Sequence, residues 1–483
     1  MLDGLIDERK KKLETLKKAG ENPYPAEVKR TMDLGEANLK FVPLSRSRKK
    51  IFLVGRVIGL RDQGGLLFMD MNDGIASFQV IAKKVDLKNY KIFRDSIDVG
   101  DFIEVGGTLF KTKRGEKSIG AKNLRIIVKS LRPLPSSFYG LEDTETKLRK
   151  RYLDSLLNPE VRNLFIKKAR FWEVFRTYLK KEGFLEVETP VLESIPGGAD
   201  AEPFVTHHNA LNTDYYMRIS LEIALKKMLI GGFPKIFEIG RIFRNEGISA
   251  EHLQDYTQLE FYWAYSNYEE LMKMIEKLYK EVIKNTVNSL ISTWQGKKIN
   301  WRKKWLKIDY YEIFKEKTGI DLEKAGKEEL FARAVKENLH PEKSLNEGRL
   351  MDLLFKKLIR PSLIQPAFLI NPPVLIEPLA KRIDSEPNKV FRFQVVACGT
   401  ELGKGFSEAN DPIDQRERFE EQMKMREDGD REAQRLDEEF LEALEYGMPP
   451  AAGFGVSERL FSILMDKPVR ETVFFPLMKR KES

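Results

Sequence analysis

Arg244 is where this sequence first asks for a chemical role. It lies in Gly240-Arg241-Ile242-Phe243-Arg244-Asn245-Glu246-Gly247-Ile248-Ser249, a polar run that continues to His252, Tyr256 and Glu260. A planar guanidinium can grip a carboxylate or a phosphate through two parallel hydrogen bonds. Glu260 and Tyr262 stand two residues apart, which puts them on one face if their segment is a strand. The flanks supply the strands: Lys235-Ile236-Phe237-Glu238-Ile239 alternates before the run, and Leu259-Glu260-Phe261-Tyr262-Trp263-Ala264-Tyr265 follows it. A polar loop held between two apolar strands is a better candidate for a site than a surface ion pair.

Other carboxylates and glycines fall in comparable places. Gly197-Gly198 lets backbone approach a ligand. Tyr216–Glu222 enters a helix that Gly231-Gly232 closes, so Glu222 sits in the first turn, where the helix dipole favours an anion. Glu401 and Glu408 bracket the glycine-rich stretch Gly403-Lys404-Gly405-Phe406-Ser407, and Arg459 follows Gly453-Phe454-Gly455-Val456-Ser457-Glu458.

The chain that must position these groups has 483 residues, enough for two or three domains, with 42% hydrophobic and 33% charged residues. Its net charge of +9 is compatible with a polyanionic partner. The single cysteine, Cys398, excludes an intramolecular disulfide, and with only four histidines a His/Cys zinc site of the usual spacing is not available. Neither a signal peptide nor an apolar run of the ~18 residues that a membrane span requires is expected, so a cytoplasmic location is.

Residues 1–48 read as an N-terminal helical extension, with a basic amphipathic helix over 3–19. Residues 49–132 carry five strand patterns (51–58, 66–71, 76–81, 102–110 and 118–128) with a helix near 86–97 after the third. That order suggests a small Greek-key barrel of the OB type, a shape that binds single-stranded nucleic acid on strand aromatics beside basic groups. Residues 133–483 form the remainder, with a helical insertion near 291–365 whose Trp294, Trp301 and Trp305 read as core. The fold class is therefore α+β.

The run Phe243-Arg244-Asn245-Glu246-Gly247-Ile248-Ser249 with His252 and Glu260 resembles motif 2 of the class II aminoacyl-tRNA synthetases, and its wording is most similar to the lysyl branch. The helix–strand–proline run ending at Pro190 resembles motif 1, and Gly453–Arg459 resembles motif 3. Gly405-Phe406-Ser407-Glu408 and the barrel stretch Leu109–Ile119 are similar to the same branch, and the resemblance spans Leu13 to Lys479. It implies a six-stranded antiparallel sheet with flanking helices behind an OB-fold, a homodimer, and attachment of L-lysine to tRNA(Lys) through an adenylate. Arg244 would hold the carboxylate and α-phosphate, and Arg459 the far phosphates. Glu246, His252, Tyr256 and Glu401 would bind ATP. Gly198, Glu222, Glu260, Tyr262, Lys404, Phe406 and Glu408 would bind lysine, with Glu222, Glu408 and Tyr262 caging its ε-ammonium. Arg61, Phe68, Gln79 and Glu116 would read the anticodon. Mg²⁺ would be held by Glu401, with Gln394 and Glu408 as further candidates.

The sequence departs from that pattern at four places. Gln394 stands where the lysyl family has a second magnesium-binding Glu, and a neutral amide weakens such a site. Lys404 replaces an Asn, Glu377 replaces a Ser, and the motif 3 string is one residue short before Arg459. A ligase for another amino acid, a lysyl transferase acting on a protein, and a non-catalytic RNA-binding paralogue are the competing readings. The intact barrel argues against the transferase, and Arg244, Glu246 and Arg459 argue against the paralogue.

Overall fold

A computed structural model of the chain describes residues 2–135, 141, 143–247, 252–427, 429–430 and 432–479. Ile248 and Ser249, which carry part of the motif 2 resemblance, lie outside the described residues. The contacts divide the chain into two units, Met1–Thr144 and Glu145–Ser483.

The first unit is built on five strands: β1 (Ile51–Gln63), β2 (Leu66–Asn72), β3 (Ser77–Lys83), β4 (Phe102–Lys111) and β5 (Lys117–Val128). They pair in the closed order β1-β2-β3-β5-β4. Alternation dictates the inside. Leu67, Met69 and Met71 of β2 are buried with Leu53, Val57, Val80, Val105 and Ile119, while Leu66, Phe68 and Asp70 point the other way. A helix, Tyr90–Ser96, follows β3 and adds Tyr90 and Phe93 to the core. The N-terminal helix, Leu2–Lys18, is docked on this unit. Leu16 enters the same core, Arg9 is buried and donates to the carbonyls of Val99 and Ser130, and Lys12 meets Asp98 at 2.8 Å.

The second unit is organised by one sheet of eight strands. In chain order these are β6 (Leu185–Glu186), β7 (Lys235–Phe243), β8 (Asp255–Ala264), β9 (Leu306–Asp309), β10 (Ala367–Ile370), β11 (Arg392–Ala397), β12 (Thr400–Ser407) and β13 (Ala451–Ser457). Their spatial order is β9-β10-β11-β12-β13-β8-β7-β6. The six inner strands are antiparallel, as expected. The short edge strands β6 and β9 add parallel pairs at either side, which local sequence patterns cannot announce. The insertion also differs from its expectation. It opens with a hairpin, Ile291–Trp294 against Lys297–Asn300, and β9 within it joins the main sheet before the helices begin. Trp301 and Trp305 are buried in the core.

The sheet has two different faces. On one, the helices Pro159–Lys181 and Tyr268–Val287 cover Phe237, Phe261, Phe393 and Phe454. Asn158 caps the first of these helices, and Asn267 caps the second through Glu269 and Glu270. The opposite face carries the polar residues of the same strands, and the helix Glu222–Ile230 packs there against Tyr262 and Phe406.

Candidate active site

Strand register assembles the site. One cross-strand row runs Gln394, Lys404, Gly455, Glu260, Glu238 over five strands. The next runs Arg392, Phe406, Gly453, Tyr262, Ile236. Within β8, Tyr256, Gln258, Glu260 and Tyr262 share the open face by period-two alternation, while Leu259 and Phe261 enter the core behind. Glu401 breaks the parity of β12. A register shift between Val395 and Val396 turns it onto the open face, while Leu402 goes to the core. Glycine in the second row is a space requirement. A Cβ on Gly453 would overlap Glu408 Oε1 and the Tyr262 ring.

Above these rows lies a cavity of about 330 Å³. Every expected ATP and lysine residue lines it except Glu408: Gly198, Glu222, Arg244, Glu246, His252, Tyr256, Glu260, Tyr262, Glu401, Lys404, Phe406 and Arg459. Gly198 has φ +82°, and a Cβ there would press on Ser220 and Glu222, so its backbone forms the wall itself. The Arg244 guanidinium contacts the Ile219 carbonyl and lies 5.7 Å from the centre of the Tyr256 ring. Glu260 is held by four donors: Ser220 Oγ at 2.8 Å, the Leu221 amide at 3.0 Å, Gln258 at 2.6 Å and the Tyr262 hydroxyl at 2.9 Å. A carboxylate so gripped is held in one orientation.

The anticipated ammonium cage is already engaged. Lys226 Nζ sits 2.5 Å from Glu222 and 2.5 Å from Glu408, and all three side chains are buried. The expected cage of Glu222 and Glu408 thus holds an ammonium from the chain itself: the helix beginning at Glu222 supplies a counter-ion one turn later. Burial still pushes the Glu222 carboxyl up to about 6 despite the pull of Lys226, and burial likewise raises Glu408 well above the usual carboxylate range. Glu408 lies behind the cavity, its Oε1 buried without a hydrogen bond. Phe406 separates two ammonium groups, with Lys226 5.4 Å and Lys404 5.9 Å from its ring centre.

The four departures resolve into contacts. Lys404 and Glu377 meet each other at 3.0 Å, and Arg392 meets Glu377 at 3.0 Å. Gln394 Nε2 donates to Glu401 Oε2 at 2.6 Å. Glu458 forms an ion pair with Lys168 of the helix Pro159–Lys181. Burial pushes the Glu401 carboxyl up, but the charges of Arg392, Lys404, Arg459 and Arg360 outweigh it and hold the group below its ordinary value. Among the described residues no group of three His, Cys, Asp or Glu side chains could hold a metal ion. Of the three residues anticipated around Mg²⁺, Glu408 is taken by Lys226, Gln394 is a donor to Glu401, and Glu401 alone remains. A protein-held magnesium does not fit a single carboxylate ringed by cations.

Sequence reasoning missed several groups here. Lys226 was legible as the i+4 partner of Glu222, and Arg392 as the strand neighbour of Gln394 at period two. Arg349, Lys356 and Arg360 of the insertion also line the cavity, with Arg349 bridging Asp200 at 3.2 Å and Asp430 at 2.8 Å. No local pattern pointed to them.

On the first unit, Arg61 pairs with Phe68 across β1 and β2, and Asp70 with Gln79 across β2 and β3. Arg61, Phe68 and Gln79 therefore share the outer face, with Glu116 in the turn before β5. Phe68 is half-buried and outside the core cluster. Arg61 reaches Asp70 at 3.4 Å, and Gln79 accepts from Ser118 at 2.7 Å.

Residues 143–479 match the family described as tRNA synthetases class II (D, K and N), and residues 51–134 match the OB-fold nucleic acid binding domain. Similar chains include the lysine–tRNA ligase of Halalkalibacterium halodurans, 40% identical with 100% of this chain and 98% of the relative covered. That of Moorella thermoacetica is 41% identical with 99% and 98% covered. That of Roseiflexus castenholzii is 39% identical with 100% of both chains covered.

Proposed function

The chain belongs to the class II tRNA synthetases, and from that premise we propose that it attaches L-lysine to tRNA(Lys) through a lysyl-adenylate formed in the cavity above β8, β12 and β13. The observation that carries this reading is the shared cavity, whose lining sets the guanidinium groups of Arg244 and Arg459 beside the carboxylates of Glu222 and Glu260.

The reaction first joins two anions. The lysine carboxylate attacks the α-phosphorus of ATP, the bond to the β-phosphate oxygen breaks, and pyrophosphate leaves. Charge repulsion is the barrier that the protein can lower, because fixed cations in a water-poor site act where negative charge gathers. Arg244 bridges carboxylate and α-phosphate, and Arg459 takes the far phosphates. Tyr256 stacks on adenine, Glu246 accepts from its amino group, and His252 adds to the triphosphate side. The nucleophile is already ionised, so this step needs no general base. The 3′-terminal hydroxyl of tRNA then attacks the adenylate carbonyl, and AMP leaves.

Lysine is selected by charge and length. Glu260 meets the α-ammonium beside the Gly198 backbone, and Phe406 lines the aliphatic stem. Glu222 and the Tyr262 hydroxyl face the ε-ammonium, with Glu408 acting through Lys226. Lys404, steadied by Glu377, reaches the substrate carboxylate as a charge. Magnesium would arrive with ATP and add positive charge on the phosphate side. Arg61, Phe68, Gln79 and Glu116 read anticodon bases by stacking and edge hydrogen bonds. The active form is a homodimer through the motif 1 helix and strand, in the cytoplasm. Among the described residues no helix is long and apolar enough to cross a membrane.

ATP–pyrophosphate exchange with each of the twenty amino acids tests the reading. Exchange with lysine alone is expected, and exchange driven better by another amino acid would overturn the assignment.

A further inference from the structure

Around Glu401 and Glu377 the cations Arg392, Lys404, Arg459 and Arg360 outnumber the carboxylates. Glu377 is matched by Arg392 and Lys404. Glu401 accepts the Gln394 amide at 2.6 Å, and its backbone carbonyl accepts from Arg459 at 3.4 Å. Arg360 is left over. It comes from the insertion, lines the same cavity, makes no side-chain hydrogen bond or ion pair among the described residues, and has its Nε buried without a partner. A half-buried guanidinium grouped with Arg459, Arg392 and Lys404 around Glu401, its Nε without an acceptor, is placed to gain from an anion. The Nε of Arg459 is buried and unpartnered in the same way.

The acidic side lacks what a second counter-charge of another kind would need. A divalent cation bound by a protein beside ATP takes one or two free carboxylates together with phosphate oxygens. Here Glu377 is closed by its ion pairs, Glu401 is already hydrogen-bonded to Gln394, and a dication set beside it would be repelled by the arginines and by Lys404.

We infer that Arg360 is an ATP-binding residue, which with Arg459 neutralises the β- and γ-phosphates in place of any metal ion held by the protein. This rests on the reading of the cavity as an ATP site. The charge that a carboxylate-bound ion would bring is built into the chain, and the sole divalent ion in the complex is one carried on the nucleotide.

Binding measurements on the full chain test this without reference to turnover. Mn²⁺ is titrated by electron paramagnetic resonance, first alone and then with α,β-methylene-ATP, and nucleotide affinity is measured by calorimetry. The expected stoichiometry is no tight Mn²⁺ without nucleotide and one Mn²⁺ per bound nucleotide. Arg360→Met should weaken nucleotide binding by on the order of tenfold or more, while lysine binding, read on the same samples, stays unchanged and reports an intact fold. Gln394→Glu should add a second Mn²⁺. Two tight Mn²⁺ per wild-type site, or an Arg360→Met chain that binds nucleotide as wild type does, overturns the inference and leaves the ligase reading standing. A wild-type chain that binds no nucleotide overturns both.

Discussion

Replacing Glu408 by Gln isolates the charge logic of the lysine pocket. In the folded chain Lys226 stands 2.5 Å from both Glu222 and Glu408. A bound ε-ammonium favours the ionised form of both carboxyls, and with both ionised, two carboxylates and one ammonium leave one excess negative charge for it to balance. Glu222 lines the cavity and Glu408 does not. Glu408 is thus one ion pair further back, and a separation on the order of 8 Å from a bound ammonium sets the scale. At that distance and an effective dielectric of ~20, a unit charge is worth about 2 kcal/mol, or about thirtyfold in affinity. Lysine KM in pyrophosphate exchange should therefore rise about thirtyfold in Glu408→Gln, with the KM for ATP unmoved and Lys226 still paired with Glu222. Glu222→Gln removes the nearer charge and should cost more, in the range of about 2–5 kcal/mol found for truncating one side of a buried charge pair. Norleucine, which has the stem without the ammonium, should not be activated by the wild type. A lysine KM within twofold of wild type in Glu408→Gln, a larger effect there than in Glu222→Gln, or activation of norleucine comparable with lysine would refute the reasoning.

Arg244→Ala should lower lysine-dependent pyrophosphate exchange by about 10²–10³-fold, the scale of losing one donor aimed at developing charge, and near-normal exchange would remove its role. Lys226→Met strands two buried carboxylates, so thermal unfolding should show a loss of about 3–5 kcal/mol, partly recovered when Glu408→Gln is added; an unchanged melting temperature would show that the ion triad is not structural. Glu222 titrates at about 6 because burial disfavours its charge. Since the ionised form is the one that receives the ammonium, lysine KM should be flat above pH 7 and climb as pH falls through 6, and the climb should vanish in Glu222→Gln. Phe68→Ala should slow charging at limiting tRNA and spare lysine activation, because base–aromatic stacking is worth ~1–3 kcal/mol; equal impairment of both reactions would return Phe68 to a purely structural part.

What could be read from the residues follows from how far each signal travels along the chain. The parity of β8 put Glu260 and Tyr262 on one face from spacing alone, and the structure keeps them there with a hydrogen bond between them. The OB strands announced themselves through short alternating runs and Gly turns, because each of those signals is local. Arg360 had none. It reaches the cavity only because the insertion returns to the sheet through β9 and β10, a pairing between residues about sixty positions apart. The partnership of Lys404 with Glu377 was invisible for the same reason, although both were noticed singly as unusual. Lys226 was the avoidable omission, since its distance from Glu222 along the helix is one turn.

The order of strands in the sheet also has a bearing on how the chain is made. β13 lies between β12 and β8, yet it comes after every other strand in sequence. During synthesis, at ~5–20 residues per second, the ribosome must deliver residue 457 before the middle of the sheet exists. Until then the growing chain holds two partial sheets whose facing edges, β12 and β8, have unpaired amides and carbonyls, the kind of edge that recruits other strands. Nascent chains stalled shortly before Ala451 should therefore be the species most prone to aggregate and most in need of a chaperone. The cavity, whose floor runs through Gly453 and Gly455, can close only after residue 457 has been delivered.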